Sequence, residues 1–137
     1  MTMPVPPSTH TDRHRVRVLI VDDMPQVLHD LHQLLELTGQ IEVVAEATSG
    51  EAAIRLAAEH QPEVVVMDLE MPGMDGYETT RQIKDHRLSQ RVVILSIHAG
   101  RQEQQRARAA GADGFITKGA SYEILVDAIL AEKGEYS

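Results

Sequence analysis

Short runs rich in valine and isoleucine alternate along this chain with longer stretches in which apolar residues recur every three or four positions. Short apolar runs bounded by turn residues are typical of strands, whereas recurrence at the longer spacing is typical of amphipathic helices. The pattern predicts five strands, in the segments VRVLIV (16–21), IEVVAEA (41–47), EVVVM (63–67), RVVIL (91–95) and GFIT (114–117).

The stretches between these runs carry residues that start and stop helices. Proline suits a first turn, serine caps an N-terminus and glycine suits a C-terminus. These signals predict five helices, from Pro25 to Gly39, from Ser49 to just before Pro62, from Gly76 to about Arg87, from about Arg101 to Gly111, and after Ser121. We expect the first helix to present one apolar face, made of Val27, Leu28, Leu31, Leu34 and Leu35. In the fifth helix we expect four residues to face inward, namely Ile124, Leu125, Ala128 and Ile129.

Strands that alternate with helices imply a parallel sheet covered on both faces, because parallel neighbours need crossover connections. The first, third and fourth runs are nearly continuous in apolar residues and should lie at the sheet centre. Glu42 and Glu46 interrupt the second run, which suits an edge strand. The pattern therefore predicts a single α/β domain, a doubly wound, flavodoxin-like (βα)5 sheet with strand order 2-1-3-4-5.

Polar residues follow the predicted strands where each one ends. They are Asp22 and Asp23 after the first, Asp68 after the third, Ser96 after the fourth, and Thr117 and Lys118 at the fifth. Ligands of such sheets bind beyond the carboxyl ends of the strands, so these side chains should converge on one crevice. The alternative is that each is only a strand-terminal polar residue or a helix cap.

Three carboxylates in one crevice need cations, since two such charges about 4 Å apart repel by about 4 kcal/mol at an effective dielectric near 20. Lys118 supplies one cation. A ligand set of oxygens without histidine or cysteine suits a hard divalent ion such as Mg²⁺. A metal beside a carboxylate, a hydroxyl and a lysine is suited to phosphoryl transfer.

The residues can be assigned roles on this hypothesis. Asp68 is the candidate nucleophile, because carboxylates accept phosphoryl groups to form aspartyl phosphates. Ser96 and Lys118 would contact the phosphoryl oxygens. The metal ligands would be Asp22, Asp23, Asp68 and the backbone carbonyl of Glu70. A tight loop containing Pro72, Gly73 and Gly76 would bring that carbonyl near the metal.

Composition narrows the functional classes further. The chain has 137 residues, enough for one domain, and it has no cysteine, which excludes disulfides and thiolate chemistry. A net charge of −8 argues against a non-specific nucleic-acid binder. No apolar stretch approaches the roughly 18 residues of a membrane span, and the start lacks the apolar segment of a signal peptide. We expect a cytoplasmic protein with no membrane partner.

Four motifs in this order resemble the receiver domains of two-component response regulators. They are VLIVDD, VVVMDLEMPGMDGYE, VVILS and GADGFITK, and the similarity runs from about Val16 to Ile129. The segments EVVAEATSGEAAIRLA and LSIHA are most similar to NarL/FixJ (LuxR-type) receivers, which commonly precede a helix-turn-helix DNA-binding domain.

The resemblance implies that a sensor histidine kinase donates phosphate to Asp68 with the help of Mg²⁺. It also implies that Ser96 and Phe115 form a switch pair and that the protein forms a homodimer on phosphorylation. Glu70 and His98 stand where the family tunes the lifetime of the phosphoryl group, and the bulk of Ile97 would restrict access to it. The helix RQEQQRARAAG has almost no large apolar residues, so we expect it to pack shallowly and to shift during switching.

We divide the chain into a flexible segment at 1–14, a receiver domain at 15–132 and a tail at 133–137. DNA contact would need a C-terminal domain outside this sequence, and a stand-alone receiver is the alternative.

Two other functions remain open. One is a receiver-like module that binds partners without phosphorylation. The other is a haloacid-dehalogenase-type phosphatase, which would need an Asp where Glu70 stands.

Overall fold

A computed structural model describes residues 14–71, 73–98 and 100–131. Strands and helices alternate throughout. The strands are β1 (Val16–Val21), β2 (Ile41–Ala47), β3 (Val64–Asp68), β4 (Arg91–Ser96) and β5 (Gly114–Thr117). The helices are α1 (Pro25–Glu36), α2 (Gly50–His60), α3 (Gly76–Asp85), α4 (Arg101–Ala109) and α5 (Tyr122–Leu130).

The five strands form one parallel sheet in the order β2-β1-β3-β4-β5. This confirms the predicted α/β fold, its strand order and the edge position of the second run. β1 lies between β2 and β3, so that Val18 is level with Val43 on one side and Val64 on the other. The continuous apolar sequence of the central strands reflects burial on both faces.

Each face of the sheet carries its own core, because neighbouring residues of a strand point to opposite sides. Val18 and Ile20 pack with α1 and α5, together with Leu28, Leu35 and Ile129. Leu19 and Val21 face the other side, where α2, α3 and α4 cover the sheet. The sheet is thereby held rigidly between two layers, and its carboxyl ends are fixed in position.

The predicted helix starts are largely correct. Pro25 occupies the first turn of α1, and Ser49 caps α2 by accepting a hydrogen bond from the backbone N–H of Ala52. Asp75 caps α3 in the same way through the N–H of Glu78. Ser121 precedes α5 with extended backbone, but its side chain makes no capping hydrogen bond.

The inward-facing residues of α5 were predicted with one error, because Ile124 is 47% exposed. It lies about 100° around the helix from Leu125, and the sheet covers only the narrower arc that holds Leu125, Ala128 and Ile129. The same limit applies to α1. There Leu28 and Leu35 are buried, whereas Val27 and Leu34 lie at the sides of the helix and are exposed.

α4 packs shallowly, as its sequence predicted. Ala107 is the one buried residue between Arg101 and Ala109. The side of the helix is held by Arg106, whose guanidinium lies 4.0 Å from the ring centroid of Tyr77. A shift of α4 during switching stays a prediction.

Some expectations fall outside the described residues. They concern Pro72, the tail at 133–137 and the segment at 1–14, except for His14, whose Nε2 lies 2.9 Å from a carboxylate oxygen of Glu63. Within the part of the chain that the structure describes, no helix is both long and apolar enough to cross a membrane.

Candidate functional site

Three carboxylates meet at the carboxyl ends of β1 and β3. Each of Asp22, Asp23 and Asp68 offers an oxygen atom that lies within 4.8 Å of the others. The sheet order causes this, because β1 and β3 are neighbours and pair up to Val21 and Met67, just before the acids. Asp68 is only 2% exposed, so its carboxylate is fixed on a buried strand.

Lys118 brings a positive charge to the carboxylates from the end of β5. Its Nζ lies 2.8 Å from Oδ1 of Asp68, 3.8 Å from Oδ2 of Asp22 and 3.6 Å from Oε1 of Glu70. The backbone N–H of Lys118 donates to the carbonyl of Ser96, 2.9 Å away, which holds the lysine beside the end of β4. The ammonium therefore touches acids from two strands and from the loop after β3.

The hydroxyl of Ser96 is buried at the end of β4 and contacts the carboxylate of Glu70, which lines the same crevice. Its oxygen lies 2.7 Å from Oε2 of Glu70 and 3.0 Å from the carbonyl oxygen of His98, and it accepts a hydrogen bond from the N–H of His98. A hydroxyl has one proton to donate. The shorter contact is the one with the Glu70 carboxylate.

The loop after β3 holds its shape by local hydrogen bonds and by close backbone packing. The N–H of Glu70 donates to Oδ1 of Asp68 at 3.1 Å, which orients the carboxylate. Gly73 adopts a positive φ of 78°, as the predicted tight loop requires. A Cβ on Gly76 would lie 2.7 Å from the Asp68 carbonyl oxygen, so only glycine lets α3 start this close to the acid.

Burial and neighbouring charges shift the acid–base properties of the site. Burial raises the pKa of Asp68 from 3.8 to about 6, and the negative charge of Asp22 adds to this, although the hydrogen bond from Lys118 opposes it. For Lys118, burial lowers the pKa, but the ion pair with Asp68 outweighs burial and raises it. Burial also acts on Glu70, but the hydrogen bond from Ser96 and the charge of Lys118 hold its pKa below the ordinary value.

The raised pKa predicts that the Asp68 charge destabilises the metal-free protein. Well below pH 3.8 the carboxyl is neutral in both states; from about that pH up to about 6 it ionises in the unfolded chain first, so stability falls as pH rises. We expect Asp68→Asn to raise the free energy of unfolding by about 1 to 3 kcal/mol at pH 8 and to have little effect at pH 4. Urea unfolding in the presence of a metal chelator measures the free energy of unfolding at both pH values.

The exposed Asp127 on α5 provides the matched control. Asp127→Asn should change the unfolding free energy by less than about 0.5 kcal/mol at either pH. An equal gain from Asp68→Asn at both pH values would contradict the assigned role of ionisation.

The donor set fits a hard divalent cation. Asp22, Asp23 and Asp68 offer carboxylate oxygens from adjacent strand ends, and no nitrogen or sulfur ligand is among them. Mg²⁺ is bound by one or two carboxylates and keeps several waters, which suits an open crevice. The crevice opens into a cleft of about 610 Å³ that also has apolar walls from α1 and α5.

Three further predicted site residues lie on β5 and directly after β4. Phe115 is half-buried against the core beneath α2, α3 and α4, and it pairs with Ile94, two residues before Ser96. Ile97 lines the cleft, but it is 61% exposed. His98 is exposed and contacts Ser96 through its backbone. Restricted access and rate tuning stay predictions.

The sequence did not predict the contacts of the Glu70 side chain. Only its carbonyl and a tuning role were expected, whereas its carboxylate contacts both Ser96 and Lys118. Its spacing two residues after Asp68 was visible in the sequence, but the direction of the side chain depends on β4 and β5.

Comparison with known proteins agrees with this fold. The family profile described as response regulator receiver domain matches residues 18–130. The nitrate/nitrite response regulator protein NarL of Escherichia coli K12 is 36% identical over 112 residues, which are 82% of this chain and 52% of NarL.

Two solved structures are similar in fold and sequence. The signal receiver domain of the response regulator NarL from Mycobacterium tuberculosis is 34% identical with a TM-score of 0.80, and the match covers 85% of this chain and 94% of that one. A LuxR-family two-component response regulator from Aurantimonas sp. SI85-9A1 is 39% identical with a TM-score of 0.79, covering 84% and 82%.

The chain spans about half the length of the curated relatives it matches. Those relatives are response regulators of the NarL type. The profile match covers most of the chain, so this protein belongs to the response regulator receiver domain family of two-component systems.

Proposed function

We propose that Asp68 accepts a phosphoryl group from a phosphohistidine of a sensor histidine kinase, in a reaction that requires Mg²⁺. The observation that carries the proposal is the ion pair between Lys118 and the buried Asp68 inside a cluster of strand-end carboxylates. The arrangement supplies a fixed nucleophile, a fixed cation and a metal-binding set in one crevice. These are the parts that phosphoryl transfer needs.

In the transfer, a carboxylate oxygen of Asp68 attacks phosphorus and forms a P–O bond. The P–N bond breaks, its electron pair goes to the imidazole, and a ring protonated on the other nitrogen leaves as neutral histidine. Lys118 and Ser96 bind the oxygens of the transferred group. Asp22, Asp23, Asp68 and the backbone carbonyl of Glu70 would hold the ion, which would supply charge neutralisation.

The phosphorylated form would differ from the resting form in the position of Ser96 and Phe115. Ser96 turns toward the phosphoryl group and Phe115 moves further into the core, which biases an existing equilibrium. The surfaces available for output and for a homodimer are α4, β5 and α5, or α1 and α5. We propose that transcription is the final output, in the cytoplasm, through a DNA-binding domain outside this sequence.

The direct test is incubation of the protein with acetyl phosphate and Mg²⁺, followed by intact mass measurement. Wild type should gain one phosphoryl group, and the gain should vanish with a chelator. Asp68→Asn should gain none, because it lacks the nucleophilic oxygen. The control Asp30→Asn changes an acid on α1 that lines the same cleft and should be phosphorylated like wild type.

Two other functions give different results in this test. A haloacid-dehalogenase-type phosphatase would hydrolyse unrelated phosphate esters, but it needs a free acid–base group at the position of Glu70, which is engaged with Ser96 and Lys118. An interaction module that works without phosphorylation would gain no adduct. Either result, or an adduct that survives in Asp68→Asn, would refute the proposal.

A further inference from the structure

The carboxylate of Glu70 lies between the two groups assigned to the phosphoryl oxygens. One oxygen accepts the Ser96 hydroxyl at 2.7 Å, and the other lies 3.6 Å from Nζ of Lys118 and 3.5 Å from the backbone N of Ile97. An anion already contacts the donors that a phosphoryl group on Asp68 would need. The contact is formed within the chain and requires no ligand.

The two anions cannot both keep these donors. Ser96 has a single proton, so its hydroxyl donates either to Glu70 or to a phosphoryl oxygen. A phosphoryl group on Asp68 also places negative oxygens beside the Glu70 carboxylate, and like charges at such distances repel strongly. Because the Glu70 side chain is 32% exposed, it can rotate into solvent without crossing the core.

On the basis of the function proposed above, we propose that Glu70 is an internal competitor for the phosphoryl site. In the resting protein its carboxylate holds Ser96 and Lys118, and it must withdraw before the phosphoryl group can be bound. The contact is autoinhibitory: it slows phosphorylation and weakens the binding of phosphoryl mimics.

Beryllium fluoride provides a test without phosphoryl transfer, because it forms a tetrahedral, phosphoryl-like adduct on an aspartate. The full chain is titrated with it in the presence of Mg²⁺, and ¹⁹F NMR measures the bound fraction. Glu70→Gln keeps the shape of the side chain and removes its charge. We expect it to bind about tenfold more tightly than wild type, since one charge-assisted contact no longer competes.

Two further variants separate competition from a general effect of charge. Glu70→Asp keeps the charge but is one methylene shorter, so it cannot reach Ser96; competition predicts a gain of several-fold, whereas a pure charge effect predicts none. Asp30→Asn removes a charge along the same cleft without touching either donor. It should bind beryllium fluoride like wild type.

The outcomes distinguish this inference from the proposed function. If wild type binds beryllium fluoride with Mg²⁺ and both Glu70 variants bind it no more tightly than wild type, the competition is refuted and the receiver function stands. An Asp30→Asn gain as large as that of Glu70→Gln also refutes it. If no variant binds, while urea unfolding shows all of them folded, the proposed function fails and the inference fails with it.

Discussion

Replacing Lys118 with methionine is expected to slow the formation of aspartyl phosphate from acetyl phosphate about 100-fold. In the described residues its ammonium is the one lysine or arginine group within 4 Å of Asp68, and it also lies close to Asp22 and Glu70. Methionine keeps most of the side-chain volume and removes the charge. The developing charge on the phosphoryl oxygens then loses its fixed partner.

A second consequence follows from the pKa of Asp68. The hydrogen bond from Lys118 opposes the rise caused by burial, so its loss should raise the pKa of Asp68 further above about 6. In the metal-free protein a larger fraction of the nucleophile is then protonated at neutral pH, and Mg²⁺ must displace that proton in order to bind. The loss of phosphorylation rate in Lys118→Met should therefore be larger at pH 6.5 than at pH 8.5. Initial rates of phosphorylation, followed by intact mass at both pH values, measure the difference.

Lys84 offers a matched control, because its Nζ also lies 2.8 Å from a carboxylate, that of Asp113, and its side chain is similarly exposed. That pair joins α3 to the segment before β5, away from the crevice. Lys84→Met should lose some stability, but under conditions in which it is fully folded its phosphorylation rate should lie within about twofold of wild type. Equal rates for Lys118→Met and wild type would remove the lysine from the proposed mechanism.

The fold could be predicted from the sequence because its signals are local. Each strand is a short apolar run, and the acidic interruptions at Glu42 and Glu46 mark the edge strand. The acidic cluster followed from the same reasoning. Residues that follow parallel strands share one edge of the sheet, so Asp22 and Asp68 had to lie close together once β1 and β3 were neighbours.

Other features could not be predicted because they depend on contacts between distant segments. The exposed side of α5 at Ile124 depends on how wide an arc the sheet covers, which the periodicity alone does not give. The contacts of Glu70 depend on the positions of Ser96 and Lys118, which come from two other strands. Side-chain direction at a strand end is a tertiary property.

Arg91 is the clearest residue of this second kind. The sequence places it at the start of an apolar run, where an arginine is expected to reach solvent, but it is only 7% exposed. Its guanidinium donates to the carbonyl oxygens of Ala128 at 3.0 Å and Ile129 at 2.6 Å. These carbonyls belong to the last turn of α5, where the helix dipole favours a positive charge. Arg91 thus ties the end of α5 to β4, the strand that ends in Ser96.

We expect Arg91→Met to lower the free energy of unfolding by about 2 to 4 kcal/mol, because two charge-assisted hydrogen bonds are lost and buried carbonyls are left unpaired. Urea unfolding measures the loss. Arg55→Met is the control, since the ion pair of Arg55 with Glu59 is exposed and its loss should cost less than about 0.5 kcal/mol.

Arg91→Met should also destabilise the end of α5 before it affects the rest of the fold. Hydrogen exchange should accelerate at the amides of the last turn of α5 before it accelerates in α2, because the dipole of α5 loses its only buried cation among the described residues. A variant with wild-type stability and unchanged exchange would mean that water replaces the guanidinium without cost. The contact between Arg91 and α5 would then contribute nothing to stability.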